Sequence, residues 1–529
     1  MAIRVLICDP LAKEGIEILE KEKGIKVDVK IKITPEELKK IIKDYDALLV
    51  RSETKVTRDI IKNADKLKII GRAGIGLDNV DLDEASKKGI IVMNSPMGNT
   101  ISTAEHAFSL LLALSRNIPQ ADSSLKSGKW DRKKFIGVEV YGKVLGIIGL
   151  GRIGSEVAKR AVSFNMRVLA YDPFLPEEKA KALGVEPCDL KTLLKSSDYI
   201  TVHTPLTEET KYIINRDSIK MMKKGARIIN CARGGIINEN ALLEAIEKGD
   251  IAGAALDVFE KEPLPAESPL LKSERIILTP HLGASTEEAQ VNVSVDIAKS
   301  VKDALLYNII KNAVNTPSVD PEILKTMKPY LDLAEKIGLM QAQLIDGYIK
   351  RIVVTYVGEL VSFNLDAVTL SLIKGVLSPI LEEKINYVNA MFIAKERGIN
   401  IVERKSDTIE DFANLIHVNV ETDKTKNSIM GTLFTKTEPR IVKINDFYVE
   451  AIPRGHMLVI YNNDVPGIVG HIGTVLANED INIAGMTFGR EKQGGKAITV
   501  LNVDSEVPKD VLQKIKKSKN INEVKYIKL

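Results

Sequence analysis

The sequence predicts an α/β protein built on parallel sheets, with a smaller α+β part toward its C-terminal end. Three observations predict it. Short apolar runs alternate with amphipathic stretches over residues 1–316, the pattern of parallel strands covered by helices. Gly149, Gly151 and Gly154 form G-x-G-x-x-G between an apolar run and a helical stretch. The stretch 455–529 reads as βαββαβ, the ferredoxin-like order.

In chain order, RVLICD (4–9) reads as a buried strand and PEELKKIIKDY (35–45) as a helix with Leu38, Ile41 and Ile42 on one face. ALLVRS (47–52), LKIIGRAG (67–74) and IIVMNS (90–95) are further strands, and AEHAFSLLLALSRNI (104–118) is a long apolar helix. A second domain opens at 143–173 with strand, glycine loop, helix and strand, and continues through DYITVHTPL, ARIINCA and AGAALDV. IILTPHLG (276–283) is followed by a helix, STEEAQVNVSVDIAKSVKDALL. NTPSVDP (315–321) reads as a linker. Beyond it, KRIVVTYVGEL and NLIHVNVETD are half-buried strands around a helical segment near 366–397. In the last part, helix 466–479 has Ile468, Val469, Ile472, Val475 and Leu476 on one face, expected to be core.

The bulk numbers narrow the function. With 529 residues the chain exceeds one core and divides into roughly three or four domains. Its 75 basic and 71 acidic residues leave +4, too little to imply a nucleic-acid or membrane-surface partner. No apolar run approaches the roughly 20 residues of a membrane helix, and MAIRVLICDPLAKEG carries no signal-peptide pattern. The three cysteines, Cys8, Cys188 and Cys231, are far apart, which argues for a reducing cytoplasm, no disulfide framework and no metal site.

The glycine loop carries the first chemistry. Its glycines permit a tight turn, close approach to a pyrophosphate, and packing of helix on strand, while the helix N-terminus offers N–H groups to phosphate. Asp172 ends the next strand, 18 positions after Gly154, where an acid accepts from ribose hydroxyls and repels a 2′-phosphate, favouring NAD over NADP. Arg233, Glu262 and His281 then occur in NCARGGIIN, DVFEKEP and TPHLG. An arginine holds a carboxylate through paired hydrogen bonds. A histidine exchanges a proton near neutral pH, and an adjacent glutamate fixes its tautomer and raises its pKa. With a nicotinamide cofactor these groups suffice to interconvert a 2-hydroxy and a 2-keto acid.

Of the six histidines, His281 is the best-placed general acid/base. His106 reads as a packed core residue, and His203 as structural or near the cofactor. Asp257 is placed either to accept from the nicotinamide carboxamide or to neutralise a cation. Arg51 and Arg72, both at strand ends, could bind a second anionic group such as a phosphate, or could be unrelated surface residues.

Taken together, VRSETKV, GRAGIGLDNVD, NSPMGNTISTAEH, GIIGLGRIG, CARGGIINE, ALDVFEKEP and PHLGAST resemble the D-isomer-specific 2-hydroxyacid dehydrogenases, essentially from end to end. The tail resembles the long form of this family, which adds an intervening domain and an ACT regulatory module. The resemblance implies a discontinuous substrate-binding domain (1–98 and 283–316), a Rossmann-type NAD-binding domain (99–282), an α+β intervening domain (317–452) resembling an anion-binding regulatory domain, and an ACT domain (453–529). It implies NAD-dependent oxidation of 3-phospho-D-glycerate to 3-phosphooxypyruvate. A glyoxylate or hydroxypyruvate reductase of the same family is the alternative, and a NAD-sensing regulatory protein a third.

The resemblance makes Arg233, Glu262 and His281 catalytic, and places Ile75, Arg152, Ile153, Thr204, Cys231, Ala232 and Asp257 beside the cofactor with the three glycines and Asp172. It places Arg51, Arg72, Gly74 and Asn99 on the substrate, and Trp130 in KSGKWDRKKF at a dimer interface within a homodimer or homotetramer. Asn462, Asp464 and Asn482 fall where relatives can bind L-serine. Some relatives carry His and Asn at the first two of those positions, so serine binding stays open.

Overall fold

The computed structural model describes residues 2–174, 177–307, 309–316, 321–381, 385–406 and 412–529. The expected linker at 315–321 and helical segment near 366–397 therefore lie partly outside the described residues. Four sheets organise the chain.

The first sheet is parallel, in the order Ile25–Val29, Ile3–Ile7, Ala47–Val50, Ile69–Arg72, Ile91–Asn94. Its strands are nearly all apolar because helices cover both faces. Thr34 starts the helix Pro35–Ile41 with a capping box closed by Glu37. That helix ends earlier than the periodicity predicts: Ile42–Asp44 tighten into a 3-10 turn, although Leu38 and Ile42 are buried as expected. The helix Glu287–Tyr307 returns to this sheet, burying Val293, Ile297, Ala298 and Val301 against Val5, Ile7 and Leu49.

The second sheet has seven parallel strands, in the order Ile276–Leu278, Ile251–Leu256, Ala226–Asn230, Tyr199–Val202, Val144–Ile148, Arg167–Tyr171, Glu186–Pro187. Strand order reverses beside Val144–Ile148, which opens a crevice at the carboxyl ends of the strands. The helix Thr100–Arg116 enters this unit and buries Ala104, Ala107, Phe108, Leu111 and Leu114 in its core.

The third sheet is richer than the two strands expected. It has six, in the order Asn400–Ser406, Ile349–Gly358, Asn414–Thr422, Lys426–Phe434, Glu438–Ile444, Phe447–Ala451, with one parallel pair. The helices Pro321–Leu344 and Asp366–Leu377 contribute Leu333, Ile337, Met340, Leu372 and Ile373 to its core, and the first of them is not anticipated by the sequence pattern.

The fourth sheet is antiparallel, in the order Ile483–Arg490, Lys496–Val503, His456–Asn463, Ile521–Lys528, with the helices Ile468–Ala477 and Lys509–Lys516. This is the βαββαβ arrangement read from the sequence. One face position needs correction: Val469 is 51% exposed, while Ile468, Ile472 and Leu476 are buried. A single short sheet covers too narrow a stripe of the helix to reach all five apolar positions. The opposite face of this sheet places Met457, Val459, Ile498 and Val500 in one cluster with Ile352 and Val418 of the third sheet. At about 1.5–3 kcal/mol per fully buried aliphatic side chain, this shared core fastens the two sheets together.

Candidate active site

The glycine loop turns between the strand Val144–Ile148 and the helix Arg152–Ser163. A Cβ on Gly154 would overlap the Gly149 carbonyl oxygen, so helix and strand can meet only if this residue is glycine. Gly154→Ala should therefore unfold the nucleotide unit at lower temperature and weaken NADH binding. Unchanged melting with unchanged NADH titration would contradict that packing. Gly151 differs, because a Cβ there meets nothing within 4 Å. The loop is therefore open at this position. Asp172 lies beside the loop; its Oδ2 accepts from Leu150 N at 2.9 Å and its Oδ1 from Phe174 N at 3.0 Å. Each oxygen keeps a lone pair for a ribose hydroxyl. The Thr204 hydroxyl is buried without a partner among the described residues, as a donor awaiting a ligand is. These residues fit a bound dinucleotide.

Arg233 follows the strand Ala226–Asn230. Asn230 folds this turn, donating from Nδ2 to the Arg233 carbonyl at 2.9 Å and accepting from Ala232 N at 3.0 Å. The guanidinium reaches across to the first sheet's loops: a Cβ on Gly76 would collide with Arg233 Nη2, and Asp78 Oδ2 lies 3.7 Å from Arg233 Nε. The sequence motifs point to neither Gly76 nor Asp78, though both stand in GRAGIGLD, directly after Arg72.

Arg51 and Arg72 do converge with Arg233. Burial, reinforced by repulsion from Arg233 and Arg51, lowers Arg72 to about 10 despite Asp78. The Arg72 Nε is buried with no partner among the described residues. Gly74, at φ +143°, leaves room for this side chain, since a Cβ there would overlap Arg72 Nη1. Asp9 orders the Arg51 loop, accepting from Arg51 N at 2.5 Å and Thr54 N at 3.2 Å. Among the described residues, the Arg51 guanidinium bonds at long range, 3.4 Å to Pro10 O and 3.5 Å to Gln290 Oε1. The Asn99 Oδ1 is likewise buried with no partner among the described residues. Crowded guanidinium groups with unused donors make an anion site.

Glu262 and His281 meet: His281 Nδ1 stands 2.7 Å from Glu262 Oε2. That contact raises the imidazole's pKa against its burial, with Asp257 adding to the rise and Arg233 opposing it. Burial alone would raise the Glu262 carboxyl, but hydrogen bonds from His281 and Phe259 N bring it below its usual range. Because Nδ1 is engaged by the carboxylate, Nε2 is the nitrogen left to trade a proton. His281 has φ +57°, the left-handed region that costs a non-glycine residue roughly 1 kcal/mol or more.

Asp257 is wholly buried and holds this loop. Its oxygens accept from Thr279 Oγ1 at 2.6 Å, Leu282 N at 2.7 Å and Gly283 N at 2.9 Å, and His106 Nε2 lies 3.1 Å away. The carboxylate thus sets the shape of the 279–283 loop. His106 is not the packed core residue expected, because its ring is committed to this network. His106, Cys231 and Asp257 bring one donor atom each within 4.8 Å of one another. Asp257 is already filled, and burial with the Asp257 charge raises the Cys231 thiol well above its usual value, so the cluster suits hydrogen bonding better than a cation. His203 bonds Thr201 Oγ1 at 2.9 Å, and burial lowers it to about 4, so it stays neutral. His417, His456 and His471 serve the last two sheets, bonding Ser428, Tyr526 and the Ile515 carbonyl.

The expected effector residues are engaged elsewhere. Asn462 is 4% exposed, accepts from Thr499 Oγ1 at 3.0 Å and donates to the Asn463 carbonyl. Asp464 pairs with Arg490 at 3.1 Å and accepts from Gly494 N, while Asn482 donates to Asp504 at 2.7 Å. A cavity of about 1150 Å³ lies between the third and fourth sheets, lined by Arg351, His417, Asn445, Tyr461 and Lys496 among others. Neither the glycine loop nor Arg233, Glu262 or His281 lines it, so it is separate from the crevice.

A glycine-loop nucleotide site beside a histidine–glutamate pair and clustered arginines defines a dehydrogenase of 2-hydroxy acids. Comparison with known families agrees. Residues 108–283 match the NAD-binding domain of the D-isomer-specific 2-hydroxyacid dehydrogenases, residues 326–445 the D-3-phosphoglycerate dehydrogenase intervening domain, and residues 456–520 the ACT domain. The D-3-phosphoglycerate dehydrogenase of Methanocaldococcus jannaschii is 48% identical over 528 residues, covering 100% of both chains. That of Archaeoglobus fulgidus is 46% identical over 529 residues, again covering 100% of both. The solved structure of the TT0316 protein of Thermus thermophilus, 32% identical with a TM-score of 0.54, covers 59% of this chain and 100% of its own. The chain belongs to the D-3-phosphoglycerate dehydrogenases, NAD-dependent oxidoreductases of serine biosynthesis. Among the described residues, no helix is long and apolar enough to cross a membrane.

Proposed function

We propose that the oxidation of 3-phospho-D-glycerate to 3-phosphooxypyruvate is carried by Arg233, Glu262 and His281. The 2.7 Å contact between His281 Nδ1 and Glu262 is the observation that carries this reading. NAD, when bound, supplies the acceptor for the hydride from C2. Arg233 holds the substrate carboxylate and polarises the C2 oxygen. His281 takes the hydroxyl proton through Nε2, and Glu262 stabilises the imidazolium that results.

Arg51, Arg72, Gly74 and Asn99 form the phosphate end of the substrate site. Gly149, Gly151, Arg152, Ile153 and Gly154 line the pyrophosphate, and Asp172 the ribose. Ile75, Thr204, Cys231, Ala232 and Asp257 form the wall near the nicotinamide. Trp130, 77% exposed, with Ile136 and Tyr141 beside it in the sequence and equally bare, supports a subunit interface of a homodimer or homotetramer. The enzyme works in the cytoplasm on this reading.

The test is steady-state oxidation of 3-phosphoglycerate with NAD, repeated with L-serine and set against reduction of glyoxylate and hydroxypyruvate. 3-Phosphoglycerate should be the preferred substrate; equal or better use of the unphosphorylated acids would overturn the assignment. A serine-dependent change in kcat or KM that is lost in Asp464→Ala and Asn482→Ala assigns the effector role to that part of the ACT domain. An unchanged rate leaves the ACT domain an assembly element.

A further inference from the structure

The helix Thr100–Arg116 is anchored in the nucleotide unit by its apolar face. Its first turns present a second, polar face to the loop that carries His281. Ser102 Oγ and Thr103 Oγ1 both donate to the Gly283 carbonyl, at 2.8 and 3.0 Å. One turn on, His106 Nε2 lies 3.1 Å from Asp257 Oδ1 and 3.2 Å from Thr279 Oγ1. An ionised carboxylate only accepts, so Nε2 carries the proton and the Thr279 hydroxyl gives its own to Asp257.

Asp257 in turn grips the loop on both sides of His281, through Thr279 before it and through Leu282 N and Gly283 N after it. His281 N donates to the Asp257 carbonyl at 2.9 Å. The left-handed backbone at His281 persists only because its surroundings hold it. Such a loop loses its aim when one of its ties is cut.

We propose that His106 is a positioning residue for the reaction: through Asp257 and Thr279 it fixes the 279–283 loop and so keeps His281 Nδ1 on Glu262 and Nε2 on the substrate hydroxyl. This rests on His281 being the base. On this reading His106 handles neither the reacting proton nor the substrate.

His106→Ala should lower kcat by about 10- to 100-fold, the scale of a reacting group displaced by about 1 Å, with both KM values within about twofold of wild type. His106→Gln, whose amide N–H reaches about as far as Nε2, should recover most of that loss. The pH profile supplies a readout that general destabilisation does not move. The groups facing His281 are Glu262, Asp257 and Arg233. Glu262 raises its pKa, so a loosened loop should move the acidic limb of kcat/KM for oxidation to lower pH in the alanine variant, and the glutamine variant should move it back. Should His106→Ala fail to fold, Thr279→Val cuts the same tie at the loop, and it should show the same kcat loss and limb shift, with Thr279→Ser restoring both.

Wild-type kcat in His106→Ala, or a glutamine variant no better than alanine, overturns the proposal. So does a loss confined to KM. His281→Ala, measured in parallel, separates the two readings: full turnover there removes His281 as the base, whereas loss there with full activity in His106→Ala removes only the positioning role.

Discussion

His281→Ala should abolish useful turnover, a loss of about 10²–10⁴-fold in kcat, while NADH binds nearly as in the wild type. The asymmetry follows from where the group sits. The imidazole projects from a loop at the end of the second sheet, tied by Nδ1 to Glu262, whereas on the proposed reading the dinucleotide is held by the glycine loop and Asp172. Removing the ring deletes the proton acceptor for the C2 hydroxyl and leaves the nucleotide contacts in place. The paired measurements are steady-state oxidation of 3-phosphoglycerate and a fluorescence titration with NADH. Turnover within tenfold of wild type, or NADH binding lost in step with turnover, would falsify the role assigned to this histidine.

Arg72→Ala should raise KM for 3-phosphoglycerate by about 10- to 100-fold, since a hydrogen bond to a charged group contributes about 1.5–3 kcal/mol and each 1.4 kcal/mol is about tenfold. KM for an unphosphorylated 2-hydroxy acid should change little. The cause is electrostatic. Arg72 is pressed by burial and by two neighbouring guanidinium groups, and its Nε has no partner among the described residues. An arriving phosphate relieves both conditions together. The same reasoning predicts that the free variant melts no lower than the wild type, because an unrequited buried charge has been removed. If phosphorylated and unphosphorylated substrates suffer alike, Arg72 serves the shared carboxylate end and the phosphate site lies elsewhere.

The residues legible in the sequence share one property, which is that their meaning is local. The turn at Gly149–Gly154 and the acid at Asp172 are read from one strand–loop–helix–strand stretch. The βαββαβ order of the tail is read from alternation and helical period alone. What the pattern does not carry is non-local. The helix Pro321–Leu344 has a proline inside it, Pro329, and its apolar face has no partner nearby in sequence; its packing on the helix Asp366–Leu377 and on the third sheet explains it. Val469 shares its helical stripe with core residues but lies beyond the reach of the sheet beneath. His106 sits among alanines, leucines and a phenylalanine, so the sequence around it says core. Its ring instead faces a carboxylate 151 positions away.

The chemical inventory is thus written in the chain itself: a dinucleotide loop, an acid for the ribose, and an arginine, a glutamate and a histidine suited to hydroxy-acid redox. Short-range backbone geometry and side-chain chemistry are enough to specify those. Packing settles the rest. It brings Arg72, on the first sheet, within electrostatic reach of Arg51 and of Arg233 from the second, and it commits the Asp257 carboxylate to the loop of His281. Both outcomes depend on how two separately wound sheets and the helix between them meet, and partners distant in the chain leave no mark on the local pattern of either segment.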